Sequence, residues 1–372
     1  MTIDFDEKVY FFCCRPEPNW ASFQHNLICL GEGLRELGIP FYSNTDYWQL
    51  SSETGEYLFQ HNPEIAPDDC SIVVLGNEWF TMGHPFPESL FHSNRSYTTV
   101  FIDSSDGENT ISRSPLFRQF DFIFRTHFNQ KFVNPSNYHP WAFGLSNRIL
   151  TSLKDPISFH QRKNVMLVNF RANKHPHSVR KFIYKKFLTY SQDIIPVDSS
   201  TDWGNEEPLN DYDALQQLQT GGRHFPAYYK RLRESAACAC FGGFFVSPVP
   251  RDQSLLLSRL LKRCLAMSNF KSNRIAQWDS WRFWEVLAAG CVAFHIDLEK
   301  YGALMPVMPQ NWKHYIGVDL DNIDEMADKF IRNPETLELI SFEARQWALE
   351  HYSPIPTTLR FLETIHRKLP IS

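Results

Sequence analysis

The stretch that constrains the fold most is QWDSWRFWEVLAAGCVAFHIDL, residues 277–298. Asp279 or Ser280 stands where a side chain can accept the orphan N–H groups of a first helical turn, and Gly290 ends that helix without a Cβ penalty. CVAFHI (291–296) follows as a short apolar run, the pattern of a parallel strand covered on both faces. At 3.6 residues per turn Phe283, Trp284 and Leu287 form the apolar side, while Glu285 shares the other face with Trp281, Arg282 and the small Ala289. A carboxylate near a helix N-terminus, beside an arginine and an alanine, can meet a polyol and a phosphate. The same spacing also describes an amphipathic helix with a solvated Glu–Arg pair.

The rest of the chain repeats this strand–helix alternation. KVYFFCC (8–14) reads as a buried strand, residues 27–37 have helical spacing up to Gly38, and residues 39–42 begin a second extended piece. No GxGxxG follows the first strand, which argues against a dinucleotide oxidoreductase, and Gly31 and Gly33 read as close packing of the helix on the sheet. Further strands are expected at 70–75, 97–102 and 120–125. Their polar tips line one crevice, because ligands of open α/β sheets bind outside the carboxyl ends of the strands. Asp103, Asp106 and His127 are therefore the acid–base candidates of the first half; the aspartates fit equally well as turn formers or a helix cap, and a lone histidine such as His127 is more often structural.

Residues 134–164 read as the end of a first domain and a linker. A strand at 164–170 precedes the basic segment 171–186, where Arg171, Lys174 and Arg180 fall around a strand-to-helix turn if Ser178 begins a helix. The acid-rich segment 198–213 reads as a surface loop. Residues 221–235 read as a helix leading to a strand that ends at Gly242 and Gly243, a pair that lets backbone approach a ligand or simply makes a turn. Two helices at 322–332 and 334–350 precede a last amphipathic one after 353–356, with Leu359, Leu362, Ile365 and Leu369 on one side.

Arg282, Glu285, Ala288, Gly290, Cys291 and Val292 stand in the places of R-x-x-E-x-x-A-x-G-(C/x)-(V/I). That string resembles the donor-binding segment of GT-B glycosyltransferases of the group-1 and exostosin-like classes. The resemblance implies an α/β fold of two Rossmann-like domains, with parallel sheets facing a central cleft: an N-terminal acceptor-binding domain at 1–155, a nucleotide-sugar-binding domain at 156–350, and a terminal helix at 351–372 returning to the first domain. It implies that Glu285 binds the ribose hydroxyls of a nucleotide sugar, with Arg282, Ser280, Gly242 and Gly243 around the donor, and that Arg171 and Lys174 neutralise its diphosphate. The implied activity is transfer of a sugar from a nucleotide-sugar donor to a glycan or other hydroxyl acceptor; basic side chains and a helix N-terminus can stabilise the departing diphosphate without a metal, so a metal-independent reaction is expected. Two departures stand out. Gln277 occupies the place of the first glutamate of the family's E-x7-E pattern, and Ala293 replaces a proline. A GT-B-shaped binding or assembly protein without catalysis is the alternative.

Composition narrows the partners. With 43% hydrophobic residues in 372 the chain can bury two cores, and a net charge of −5 argues against nucleic acid. Eight cysteines without a CxxC pair suit buried thiols of a reducing compartment, and the Asp319-Leu320-Asp321 triplet precedes a helix in the tail and is discounted as a metal site. No cofactor is expected. The acidic start before the first apolar run is unlike a secretory signal, and no apolar stretch is long enough to cross a bilayer. The expectation is a cytoplasmic protein, with peripheral membrane contact compatible with it.

Overall fold

The computed structural model describes residues 7–15, 24–88, 90–107, 112, 114–170, 178–191, 195–199, 207–246, 272–332 and 335–367. In the first half the elements are β1 (Val9–Phe12), α1 (His25–Leu37), β2 (Phe41–Ser43), β3 (Tyr47–Gln49), β4 (Tyr57–Phe59), β5 (Ile72–Gly76), α2 (Asn77–Thr81), β6 (Thr98–Asp103), β7 (Phe122–Arg125) and β8 (Tyr138–Pro140). Six of these strands form one parallel sheet in the order β2-β1-β5-β6-β7-β8, and β3 and β4 pair separately as a hairpin. Successive residues point to opposite faces of a strand. Val9, Phe11, Val74, Ile102 and Phe124 accordingly enter one core, while Tyr10, Val73, Leu75, Phe101 and Ile123 enter another.

Helix α3 (Asn147–Ser152) lies in the connection to the second half. There follow β9 (Lys163–Leu167), α4 (Ser178–Ser191), β10 (Val197–Asp198), α5 (Asp211–Gln219), α6 (Pro226–Glu234), β11 (Ser235–Ala239), β12 (Phe244–Phe245), β13 (Ile275–Ala276), α7 (Trp281–Ala288), β14 (Val292–Ile296) and β15 (Ile316–Val318). The chain closes with α8 (Ile323–Arg332), α9 (Thr336–Tyr352) and α10 (Pro354–His366). A second parallel sheet runs β10-β9-β11-β14-β15. In each sheet the strand order reverses beside the first strand, between β1 and β5 in one and between β9 and β11 in the other. Those reversals are where open α/β sheets hold ligands.

The halves are joined at several places. Asn129 forms an antiparallel bridge with Ala303, and its amide donates to the Ile275 and Tyr301 carbonyls, both at 2.9 Å. Helix α10 places Phe361, Leu362 and Ile365 in the core of the first half, and Thr358 donates to Leu30 O.

Some details depart from the expectations. Gly33 packs on α10 and not on a sheet: a Cβ there would sit 2.2 Å from Thr358 Oγ1 and 2.3 Å from Pro354 O. Gly31 faces the Phe59 ring of the hairpin. The acid-rich stretch is not loop throughout, since β10 lies at its start and α5 begins at Asp211 with Asn210 as its cap. Pro354 belongs to the first turn of α10, where its missing N–H is harmless.

The contact at Gly33 is testable. Gly33→Ala gains helix propensity yet must push α10 away, so it should destabilise the protein by about 1–3 kcal/mol, the range for overpacking. Denaturant unfolding measures it. A midpoint equal to or above that of wild type would contradict the close approach of α1 and α10.

Candidate functional site between the two sheets

Strand β9 leads into Val168-Asn169-Phe170 and β11 into Cys240-Phe241-Gly242, on either side of the second sheet's reversal. A cavity of about 470 Å³ opens there. Asn169 and Gly242 line it from the strand tips, Ser280, Arg282 and Glu285 from the start of α7, and Asp106 and Phe143 from the first half.

Helix α7 begins at Ser280, but not as the sequence suggested. Neither Asp279 nor Ser280 caps the first helical turn through its side chain. Asp279 is buried and accepts from three donors: Ser280 N–H at 2.8 Å and Trp284 Nε1 at 2.9 Å on one oxygen, Phe143 N–H at 3.0 Å on the other. The first-turn N–H groups of a helix have no partner within it, and they carry the positive end of its dipole.

Several buried side-chain atoms on the cavity wall have no hydrogen-bond partner among the described residues: Ser280 Oγ, Arg282 Nε, Tyr228 OH and Asn169 Oδ1. Buried polar groups are normally satisfied, and four of the exceptions gather around this one cavity. Arg282 is held in place by donating to the Asn169 carbonyl. Glu285 is 8% exposed and accepts from the Tyr229 hydroxyl at 3.1 Å. Glu285 thus makes a buried phenol–carboxylate bond, and the alternative of a solvated Glu285–Arg282 pair does not describe it. Arg180, Arg223 and Arg231 also line the cavity. Arg180 donates to the Phe241 carbonyl at 2.8 Å, Arg231 meets Asp198 at 3.0 Å, and Arg223 lies 5.7 Å from the centre of the Trp281 ring.

The two glycines after β11 serve different needs. Gly242 lines the cavity, whereas Gly243 has φ of +87° and a Cβ there would lie 2.5 Å from Ala276 O. Gly243 therefore makes the turn and stays out of the wall. Arg171 and Lys174 lie outside the described residues. Gln277, in left-handed backbone with φ of 55°, lines the cavity itself.

The acid–base candidates of the first half separate. Asp103 is fully buried and does not line the cavity. It pairs with Arg125 at 2.8 Å and accepts from Ser105 and from the Ser112 hydroxyl. Asp103 is thus a structural counter-ion at the tip of β6, because its oxygens are already engaged. Asp106 is largely exposed and lines the cavity, 3.7 Å from His127 Nε2. His127 Nδ1 accepts from the Asp279 N–H at 3.0 Å, so in the neutral ring the proton sits on Nε2 and faces Asp106. Burial lowers the pKa of His127 despite Asp106, which favours that neutral form.

No family model matches the sequence, and no curated protein is similar to it. Solved structures are similar in fold. An alpha-glucosyltransferase in complex with UDP and a 13-mer DNA containing a central A:G mismatch superposes with a TM-score of 0.52 at 10% identity, covering 97% of this chain and 100% of that one. An alpha-glucosyltransferase with UDP-glucose and DNA containing an abasic site gives 0.51 at 10% identity, over 97% and 99%. AviGT4, a glycosyltransferase involved in avilamycin A biosynthesis, gives 0.52 at 12% identity, over 98% and 99%. The chain has the GT-B fold, as the 282–292 string implied.

Burial pushes the Asp279 carboxyl up to about 7, against the pull of the three N–H groups it accepts. Its value in the folded protein lies above the ordinary 3.8, so its contribution to stability is present below about pH 4 and is lost as pH rises through 7. Asp279→Asn cannot ionise. The stability difference between variant and wild type should therefore move in the variant's favour between pH 5 and pH 8, by on the order of a few kcal/mol. Denaturant unfolding at both pH values checks this, and parallel pH curves would contradict it.

Proposed function

We infer that the cavity binds a nucleoside diphosphate sugar and that the protein transfers the sugar to an acceptor hydroxyl. The observation that carries this reading is the set of unsatisfied groups around the α7 N-terminus: Ser280 Oγ, Arg282 Nε and Tyr228 OH can all donate. Such donors and a helix dipole suit a diphosphate, and Glu285 offers acceptor oxygen to ribose hydroxyls. The GT-B fold supports it, since its neighbours above include glycosyltransferases with UDP or UDP-glucose bound.

In the transfer the bond between the sugar's anomeric carbon and the diphosphate oxygen breaks, and one between that carbon and the acceptor oxygen forms. The acceptor hydroxyl loses its proton and the nucleoside diphosphate departs. Arg282, the arginines of the wall and the α7 N-terminus stabilise the charge on the departing diphosphate, so this reading asks for no metal ion. Asp106 is the first-half carboxylate that can meet an acceptor at the cavity mouth, and the buried His127 Nε2–H can orient Asp106 from behind. Arg171 and Lys174 are retained as further diphosphate contacts. The acceptor is a glycan or small-molecule hydroxyl, in keeping with the net negative charge, although the first neighbours named above were solved with DNA.

Gln277 favours a second reading. It lines the cavity where the family's other glutamate stands, and an amide there is compatible with binding that no longer turns over.

Thermal shift against UDP, GDP, ADP, CDP and dTDP should reveal one nucleotide that raises the melting temperature with concentration, by mass action. Glu285→Gln should weaken that nucleotide by about 10–100-fold, the range for a hydrogen bond to a charged group, without loss of folding. Incubation with the matching nucleotide sugars, with and without EDTA and with sugar, small-molecule or duplex DNA acceptors, reads turnover. Release in EDTA supports transfer without a metal, binding without release supports the second reading, and a panel in which nothing binds removes both. Glycosylated DNA would overturn the acceptor assignment.

A further inference from the structure

We propose that Arg148 and Tyr229 are positioning residues for Glu285, orienting its carboxylate toward the ribose from the connection between the two sheets. The proposal rests on the reading of Glu285 as the ribose acceptor. Arg148 sits on α3 and is 3% exposed. Its Nη1 lies 2.5 Å from the Tyr229 hydroxyl oxygen and 3.3 Å from His224 Nδ1. Tyr229 OH in turn lies 3.1 Å from Glu285 Oε1, and His224 Nε2 lies 2.9 Å from Asp213 Oδ1.

The direction of each bond follows from what arginine can do. A guanidinium only donates, so the phenol oxygen of Tyr229 and Nδ1 of His224 must both accept from Arg148. The phenolic proton is then free for Glu285 Oε1, and the proton of His224 sits on Nε2 for Asp213. Burial pushes the Tyr229 phenol well above its ordinary range, which keeps that proton in place. Burial also lowers His224, favouring the neutral ring that can accept. Arg148 pays desolvation, yet the facing Tyr229 and Glu285 hold its charge.

Two consequences follow for the ligand. A phenol that accepts from a cation is a stronger donor, since hydrogen bonds in a chain polarise one another. Glu285 lines the cavity with one oxygen engaged by Tyr229, which leaves its other oxygen for the ribose. The pin is not on the donor-binding helix alone. It reaches through α6, which carries Tyr229, to α3 between the sheets, and through His224 and Asp213 to α5, whose Gln219 amide bonds the Gln49 backbone of the first half. The orientation of the ribose carboxylate is in this way tied to how the two halves are joined.

The test compares the ribonucleoside diphosphate that binds most tightly in the panel with its 2′-deoxy analogue, by calorimetric titration. The affinity ratio of the pair isolates the ribose contact from the phosphates. Wild type should prefer the ribonucleotide by about tenfold or more, and Glu285→Gln should bring the ratio close to one. Tyr229→Phe keeps the ring and the fold, and should lose most of the ratio while binding the deoxy analogue as wild type does. Arg148→Met should lose it likewise, with partial return in Arg148→Lys; if the Met variant does not fold, Tyr229→Phe decides alone. A full ratio in Tyr229→Phe, with the ratio lost in Glu285→Gln, would overturn the positioning role and leave the donor site standing. A full ratio in Glu285→Gln, or none in wild type, would overturn the ribose assignment and the proposal with it.

Discussion

The arrangement at the cavity depends on the buried carboxyl of Asp279. It receives the Phe143 amide from the first half and the Ser280 amide and Trp284 indole from the second, while its own N–H donates to His127. Four bonds thus converge on a residue one position before the α7 cap and set that helix relative to the first sheet. A buried acceptor with these donors is costly to disturb, because each donor would be stranded away from water. The helix N-terminus, the Glu285 face and the His127–Asp106 pair all take their positions from this joint. Both residues flanking it with left-handed backbone, His127 and Gln277, are non-glycine. Such conformations persist where the surroundings over-determine them, and they gather at functional sites.

The site itself follows from topology. Both sheets reverse their order beside the first strand, so each offers a crevice at its strand tips. The second sheet's crevice meets the α7 N-terminus, four polar groups without a partner among the described residues, and a glycine without a side chain to block approach. The first sheet brings Asp106 and Phe143 to the same cavity from the opposite side. The proposed division of labour, donor recognition by one sheet and acceptor approach from the other, would use both sides of this cavity.

Much of the fold was legible because buried parallel strands and glycine-stopped helices leave strong periodic signals. The 277–298 string alone foretold a helix, its stop and a buried strand, and α7 and β14 lie there. The hairpin of β3 and β4 was missed, since strands of three residues are too short for a period. At the site, Glu285, Arg282, Ser280 and Gly242 were legible through one local motif and one strand tip. Tyr229, Arg148 and His224 were not. They stand 56 or more residues from Glu285 in the chain, or reach it only through one another, and their partnership exists only once α3 and α6 pack together. Asp103 was misjudged for the converse reason. A strand-tip aspartate looks the same in sequence whether it faces the crevice or, as here, a buried arginine.

The most direct test of the central claim is a crystal structure of the protein with the bound nucleoside diphosphate. The account requires the phosphates at the N-terminus of α7, within hydrogen-bond reach of Ser280 and Arg282, and the ribose against Glu285. A nucleotide seated at the tips of the first sheet, or with Glu285 facing no hydroxyl, would contradict it.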